Sequence, residues 1–330
     1  MAQEQGKHPH RHGRPDQGAH QGHAGGAHQG HSGHGGHQGH PGHGGHDHAT
    51  MDWSVMGPYI ERGGEVSAPV YREAARWIAG SLPRPGRVLD VGSGPGVVAC
   101  LLAEVFEDAE VIAVDPEEAL LELARERAAR EGLADRVRTV RAELPDGLDG
   151  LPPADLLWLG RSLHHVGDQR AALASAARRL APGGVLALLE GGLPSRSLPR
   201  DLGFGRPALE SRMDAVEQDW FSAMRDALPG SRSETEDWPA LLESVGLRPA
   251  GTRTFLLDRP APLTAQERDF VVASFERRRE AMGDSLDATD LATLDRLVDA
   301  GDPAGLRNRP DLHLLTAQTV HTAVAAPRES

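Results

Sequence analysis

The chain has 330 residues, of which 39% are hydrophobic and 25% charged, with a net charge of −13, as in a soluble globular protein of one large or two small domains. An acidic body lacks the basic face that a phosphate backbone requires, which argues against nucleic acid as a partner. A single cysteine, Cys100, excludes a disulfide framework, and no apolar run approaches the roughly 20 residues that span a bilayer, so no membrane partner is expected.

In chain order, residues 1–50 come first and differ from the rest. They hold 13 of the 17 histidines and 14 of the 39 glycines, and their three acids balance three bases, so the net charge belongs to residues 51–330. With almost nothing apolar to bury, the segment is expected to be a disordered His/Gly-rich tail. Within it His28, His31, His34, His37, His40, His43 and His46 recur every third residue. A polyproline-II chain would align these imidazoles on one face but about 9 Å apart, which allows weak metal binding at most. No metal site is expected in the core. The polar N-terminus lacks an apolar signal region, so a cytoplasmic location is the expectation.

From Asp52 to Leu82 the pattern is helical, anchored by Trp53, Met56, Tyr59, Ile60, Val70, Tyr71 and Trp77, and Pro83 and Pro85 end it. Strands and helices then alternate. Strands are predicted at 87–91, 110–115, 137–142, 155–159 and 185–190. Helices are predicted at 96–107, at 117–131 before Gly132, and at 168–180 with Asp168 as N-cap. An insertion, 191–234, carries some helical pattern. A helix at 235–245, a strand at 253–257, helices near 266–282 and 286–300 and a last strand around 313–323 complete the chain. Strands that are apolar at nearly every position imply a parallel sheet covered on both faces.

The stretch "RVLDVGSGPGVVACLLAE", residues 87–104, places three glycines in five residues between the first strand and its helix. Such a turn holds a nucleotide-like ligand. A dinucleotide turn needs G-x-G-x-x-G. Here Gly92 and Gly94 fit, but Val97 stands at the third position and Gly96 falls one residue early. Asp90, directly before the turn, would also repel a pyrophosphate. Both features suit a ligand without phosphates that carries positive charge, such as S-adenosylmethionine.

"VLDVGSGPG" followed by "VIAVDP" resembles motif I and its partner in the class I S-adenosylmethionine-dependent methyltransferases. The similarity continues through "VRAELPDGL", "ADLLWLGRSLHHVGD" and "LAPGGVLALLEGG" and covers roughly residues 86–258. The resemblance implies an α/β, Rossmann-like doubly wound sheet of seven strands, the last antiparallel, with helical covers. The domain would span 86–330, preceded by a helical cover at 51–85. It also implies S-adenosylmethionine as cofactor and a small-molecule acceptor. Asp90, Gly92, Ser93, Gly94 and Gly96 would hold its methionine part and ribose edge. Asp115, with Pro116 after it, would accept from the ribose hydroxyls, Glu143 and Leu144 would bracket the adenine edge, and Arg161 would complete the set. The family pattern usually has Asp where Glu143 stands.

Ligands of open α/β sheets sit beyond the carboxyl ends of the strands. Arg161, Ser162, His164 and His165 after strand four, and Glu190 after strand five, therefore belong near the transferred methyl. A base is required only where the nucleophile must lose a proton early, and histidine suits that task. His165 is the better catalytic candidate and His164 the second, with packing under the sheet as the other reading of His164; Glu190 would bind a substrate cation or cap the site. No N-P-P-Y-like run follows strand four, which points away from DNA and protein amides. Seven of the 13 aromatic residues lie in the two covers: Trp53, Tyr59, Tyr71 and Trp77, then Phe204, Trp220 and Phe221. They can line an acceptor pocket or only attach the covers. Two other readings stay open: a non-catalytic regulatory protein that binds S-adenosylmethionine or metal, and a nicotinamide-dependent oxidoreductase.

Overall fold

The computed structural model describes residues 53–327. The tail expected over residues 1–50, with its seven spaced histidines, falls outside the described residues.

Helix α1 (Trp53–Ala79) runs 27 residues, through Pro58 and Pro69. Val66, Val70, Ala74 and Ile78, four residues apart, form a buried stripe with Tyr71 and Ala75. The βα alternation comes next: β1 (Arg87–Val91), α2 (Val97–Val105), β2 (Glu110–Asp115), α3 (Glu118–Arg130), β3 (Val137–Arg141), β4 (Ala154–Gly160), α4 (Gln169–Arg178) and β5 (Leu180–Arg196). The rest is α5 (Leu209–Ala227), α6 (Trp238–Ser244), β6 (Arg248–Arg259), α7 (Ala265–Met282), α8 (Ala288–Val298) and β7 (Leu314–Val324). Asp168 caps α4 by accepting from the Ala171 amide at 2.9 Å, and Gly132, with φ 71°, follows α3 where the chain must reverse.

The seven strands form one sheet in the order β3-β2-β1-β4-β5-β7-β6, with β7 antiparallel to both neighbours. Successive residues of the central strands bury on opposite faces. Leu156 and Trp158 join the core under α1, α2 and α7, while Leu157 and Leu159 join the one under α4 and α6. This accounts for their unbroken apolar sequence. Strand order reverses at β1, which lies between β2 and β4, so the crevice for a ligand opens beyond their carboxyl ends.

Two strands run far past their predicted bounds, whereas β4 and β7 shift by a single residue at each end. β5 continues through Gly191 and Gly192, at φ 76° and 125°, because β7 pairs with it as far as Arg196 opposite Leu315. β6 spans 12 residues because β7 pairs along all of it. The insertion predicted at 191–234 is thus the end of β5 plus α5.

Candidate active site

The glycine turn is fixed by its backbone. The amides of Gly92 and Ser93 both donate to the Val114 carbonyl of β2, at 2.8 and 3.0 Å. Gly92, Gly94 and Gly96 all take left-handed φ, at 72°, 52° and 77°. A Cβ at Gly92 would stand 2.5 Å from Cβ of Ser162, and one at Gly96 would stand 2.6 Å from Cβ of Ala124. Gly94 differs: a Cβ there would meet only Ile60 of α1, at 3.7 Å. The turn is therefore closed on its flanks, with space beside its middle residue.

Two carboxylates face this turn. Asp115, at the end of β2, accepts from the Gly94 amide at 2.8 Å and from the Glu117 amide at 3.0 Å. Asp90 is buried, and its Oδ2 has no hydrogen-bond partner. Burial, and then the charge of Asp115, push the Asp90 carboxyl up to about 8. Ser93 Oγ is likewise buried and unsatisfied. Buried polar atoms without partners, in a turn that excludes side chains, describe a place for a ligand rather than for packing. Two acids that repel each other favour one carrying positive charge. A nucleoside with an ammonium and a sulfonium fits that donor set; a pyrophosphate does not. Pro116 follows Asp115, and its carbonyl accepts from Nε of Arg141 at 2.8 Å. At the end of β3 the Ala142 amide donates to the Asp115 carbonyl at 3.2 Å, which brings the exposed Glu143 and half-buried Leu144 alongside β2.

The ends of β4 and β5 carry the second half of the site. Arg161 adopts φ 55°, and its amide donates to the Leu189 carbonyl at 3.0 Å. Its guanidinium bonds Tyr71, with Glu190 and Tyr59 within electrostatic reach. The side chain itself is exposed. A 3₁₀ turn, Leu163–His165, then presents the two histidines. Glu190 is buried and accepts the Leu163 amide at 3.1 Å. Nδ1 of His164 stands 3.2 and 3.3 Å from its two oxygens. His164 is thus a partner of Glu190. His165 is exposed, its ring centroid 4.1 Å from that of His164.

Sequence reasoning did not reach the residues that hold this half from elsewhere. Arg225 of α5 donates to the carbonyls of His164 and Val166, at 2.8 and 2.6 Å. His321 of β7 is buried, bonds Thr252 Oγ1 through Nδ1 at 3.1 Å and bonds the Glu190 carbonyl. Arg277 of α7 lies over the Tyr59 ring, 4.8 Å from its centroid. No local pattern marks these residues, because each acts at a separation set by the sheet order. The aromatics of the covers divide. Phe221 borders His164 at 5.7 Å, and Tyr59 and Tyr71 surround Arg161. Trp77 packs on Phe255 and Phe204 lies under Arg296, attaching the covers instead. Two cavities, of 160 and 530 Å³, lie elsewhere, and neither is lined by Asp90, Asp115, His164 or His165.

Residues 88–184 match the family model described as "Methyltransferase domain". A trans-aconitate 2-methyltransferase of Acidovorax ebreus is 30% identical over 223 residues, covering 60% of this chain and 79% of that one. A 27-O-demethylrifamycin SV methyltransferase of Amycolatopsis mediterranei is 40% identical over 118 residues, covering 34% and 41%. A Synechococcus protein, syc1184_c, is 36% identical over 118 residues, covering 35% of this chain, and the chain spans only 28% of its length. The similarity falls on the glycine turn and the strands that carry its acids, and with it the nicotinamide reading is set aside: the chain belongs to the class I S-adenosylmethionine-dependent methyltransferases.

Proposed function

We propose that the protein methylates an oxygen atom of a small-molecule acceptor. S-adenosylmethionine, when bound, supplies a methyl group made electrophilic by a sulfonium. Asp90 accepts from its ammonium, Gly92–Gly96 with Ser93 receive the methionine part, and Asp115 accepts from the ribose hydroxyls with the lone pairs its backbone bonds leave. Glu143 and Leu144 border the adenine.

The observation that carries the acceptor side is the His164–Glu190 pair. An ionised carboxylate can only accept, so Nδ1 of His164 carries the proton and Nε2 is left as the base. A hydroxyl approaching Nε2 would lose its proton to the imidazole as its oxygen bonds the methyl carbon and the carbon–sulfur bond breaks, releasing S-adenosylhomocysteine as the neutral thioether; a carboxylate acceptor, already ionised, would need only to be positioned. A neutral amine would need no such group. The names of the Acidovorax and Amycolatopsis relatives, a carboxylic acid and an O-demethyl rifamycin, are consistent with small acceptors methylated on oxygen. Methyl-labelled S-adenosylmethionine offered with a small-molecule extract, followed by identification of the labelled product, tests this. A label on nitrogen or carbon, or on protein, would overturn it.

A further inference from the structure

Most arginines here are tied to acids, as Arg127 is to Glu61, Glu65 and Glu131 and Arg212 is to Asp290. Three on the substrate side are not; Arg225 is satisfied by the His164 and Val166 carbonyls, which leaves Arg161 and Arg277. Arg161 forms no ion pair among the described residues. Around it stand Tyr71, Tyr59 and, beyond contact distance, Glu190. Arg277 is half-buried and also has no carboxylate partner among the described residues. Its Nη1 donates to Sδ of Met56 at 2.7 Å, a weak acceptor for a cation. Its guanidinium stacks on Tyr59, which is itself stacked on Phe270 at 5.8 Å.

Tyr59 therefore has a guanidinium against its ring face and a second within electrostatic reach. Arg277 is a half-buried guanidinium without a carboxylate, and the exposed guanidinium of Arg161, also without one, lies within electrostatic reach of the same tyrosine, so an anion from solution can complete both. Backbone geometry adds to this, because Arg161 holds φ 55°, a conformation that disfavours a side-chain-bearing residue. Resting on the reading of the protein as a small-molecule methyltransferase, we propose that the acceptor carries a carboxylate, received between Arg161 and Arg277 beside Tyr59. The carboxylate anchors the acceptor next to His164 and Glu190, while the oxygen to be methylated sits toward the glycine turn. The other source of a carboxylate is the methionine end of S-adenosylmethionine itself, and the test separates the two.

Calorimetry of the full chain with S-adenosylhomocysteine comes first, since failure of the wild type to bind it would defeat the methyltransferase reading rather than this one. Tricarballylate, succinate and benzoate are then titrated into the protein loaded with S-adenosylhomocysteine, beside succinamide and benzamide. At least one acid should bind and its amide should not. Arg277→Gln should weaken that acid by about tenfold or more and leave S-adenosylhomocysteine within about twofold. Arg277→Lys, which keeps the charge, should restore part of the loss. Binding of no acid up to tens of millimolar would overturn the proposal. So would Arg161→Gln and Arg277→Gln variants that lose S-adenosylhomocysteine yet keep 5′-methylthioadenosine, because the arginines would then read the cofactor's carboxylate.

Discussion

Glu190 straddles one nitrogen of His164, with Oε2 3.2 Å and Oε1 3.3 Å from Nδ1, and Oε1 also takes the Leu163 amide. The carboxylate is thus held by the backbone of the turn that presents the histidine. The acid therefore restrains the plane of the imidazole and favours the tautomer with its proton on Nδ1.

If this pair removes the acceptor's proton, His164→Ala should lower turnover by roughly 10² to 10⁴ and leave S-adenosylhomocysteine affinity within about twofold. Glu190→Gln should lower turnover less than His164→Ala does, because an amide can still accept from Nδ1. His165→Ala serves as the comparison: a larger loss there than in His164→Ala would reverse the roles.

Asp90 gives a prediction with a sign. Its carboxyl titrates near 8 in the fold and near 3.8 unfolded, so between those values the native state holds more protons. The contribution of Asp90 to the stability of the ligand-free protein should be full below pH 4 and decline as pH rises toward 8. Asp90→Asn should remove that decline and leave the ligand-free protein more stable by ~1–3 kcal/mol at pH 8, the usual cost of an unpaired buried group. It should also weaken S-adenosylhomocysteine. Urea unfolding across pH measures the first effect and calorimetry the second; a destabilised Asn variant would contradict the placement of this carboxylate.

His321 should act in the opposite direction along the pH axis. Burial holds its imidazole below the usual value of 6.5, so the unfolded chain takes up its proton first. Its contribution to stability is present above pH 6.5 and is lost as pH falls below it. His321→Gln should flatten the slope of stability on the acid side of 6.5. Because the ring bonds the Glu190 carbonyl, the variant should also lower turnover while sparing S-adenosylhomocysteine affinity. An unchanged acid slope would show that the ring does not titrate as described.

Among the left-handed glycines the environment should rank the losses. Gly96→Ala combines φ 77° with a Cβ 2.6 Å from that of Ala124, whereas Gly132→Ala combines φ 71° with nothing within 4 Å. The second should cost about 1–2 kcal/mol from backbone conformation alone. The first should cost about 1–3 kcal/mol more, because α2 and α3 must separate. Thermal melting of the two variants makes the comparison; equal losses would mean that the Ala124 contact yields freely.

The βα framework was legible because each central strand buries both faces and each helix one, patterns written locally in the chain. Asp90, the glycines and Asp115 were legible for the same reason, lying within 26 residues and at strand ends. The choice between His164 and His165 was not. It depends on the 3₁₀ turn after β4 and on the register that sets Gly160 opposite Leu189 and so brings Glu190 alongside. Arg277 and His321 were out of reach altogether, because α7 and β7 meet the site through a strand order that doubles back on itself. The lengths of β5 and β6 were hidden likewise, since β7 extends both.

The repulsion between Asp90 and Asp115 has a consequence for the protein's lifetime. A fold that carries two buried acids side by side is weakest when nothing positive lies between them. Any ligand that binds only the folded form adds stability by mass action, about 2.7 kcal/mol at a hundred times its dissociation constant. Were the methyl donor to bind between these acids, the folded population would rise with its concentration. When the donor is scarce, the open form becomes more frequent, and proteases that act on opened chains remove the protein faster. If Asp90 and Asp115 hold the cation, the same acids that would select it would also make the stability of the fold depend on its presence.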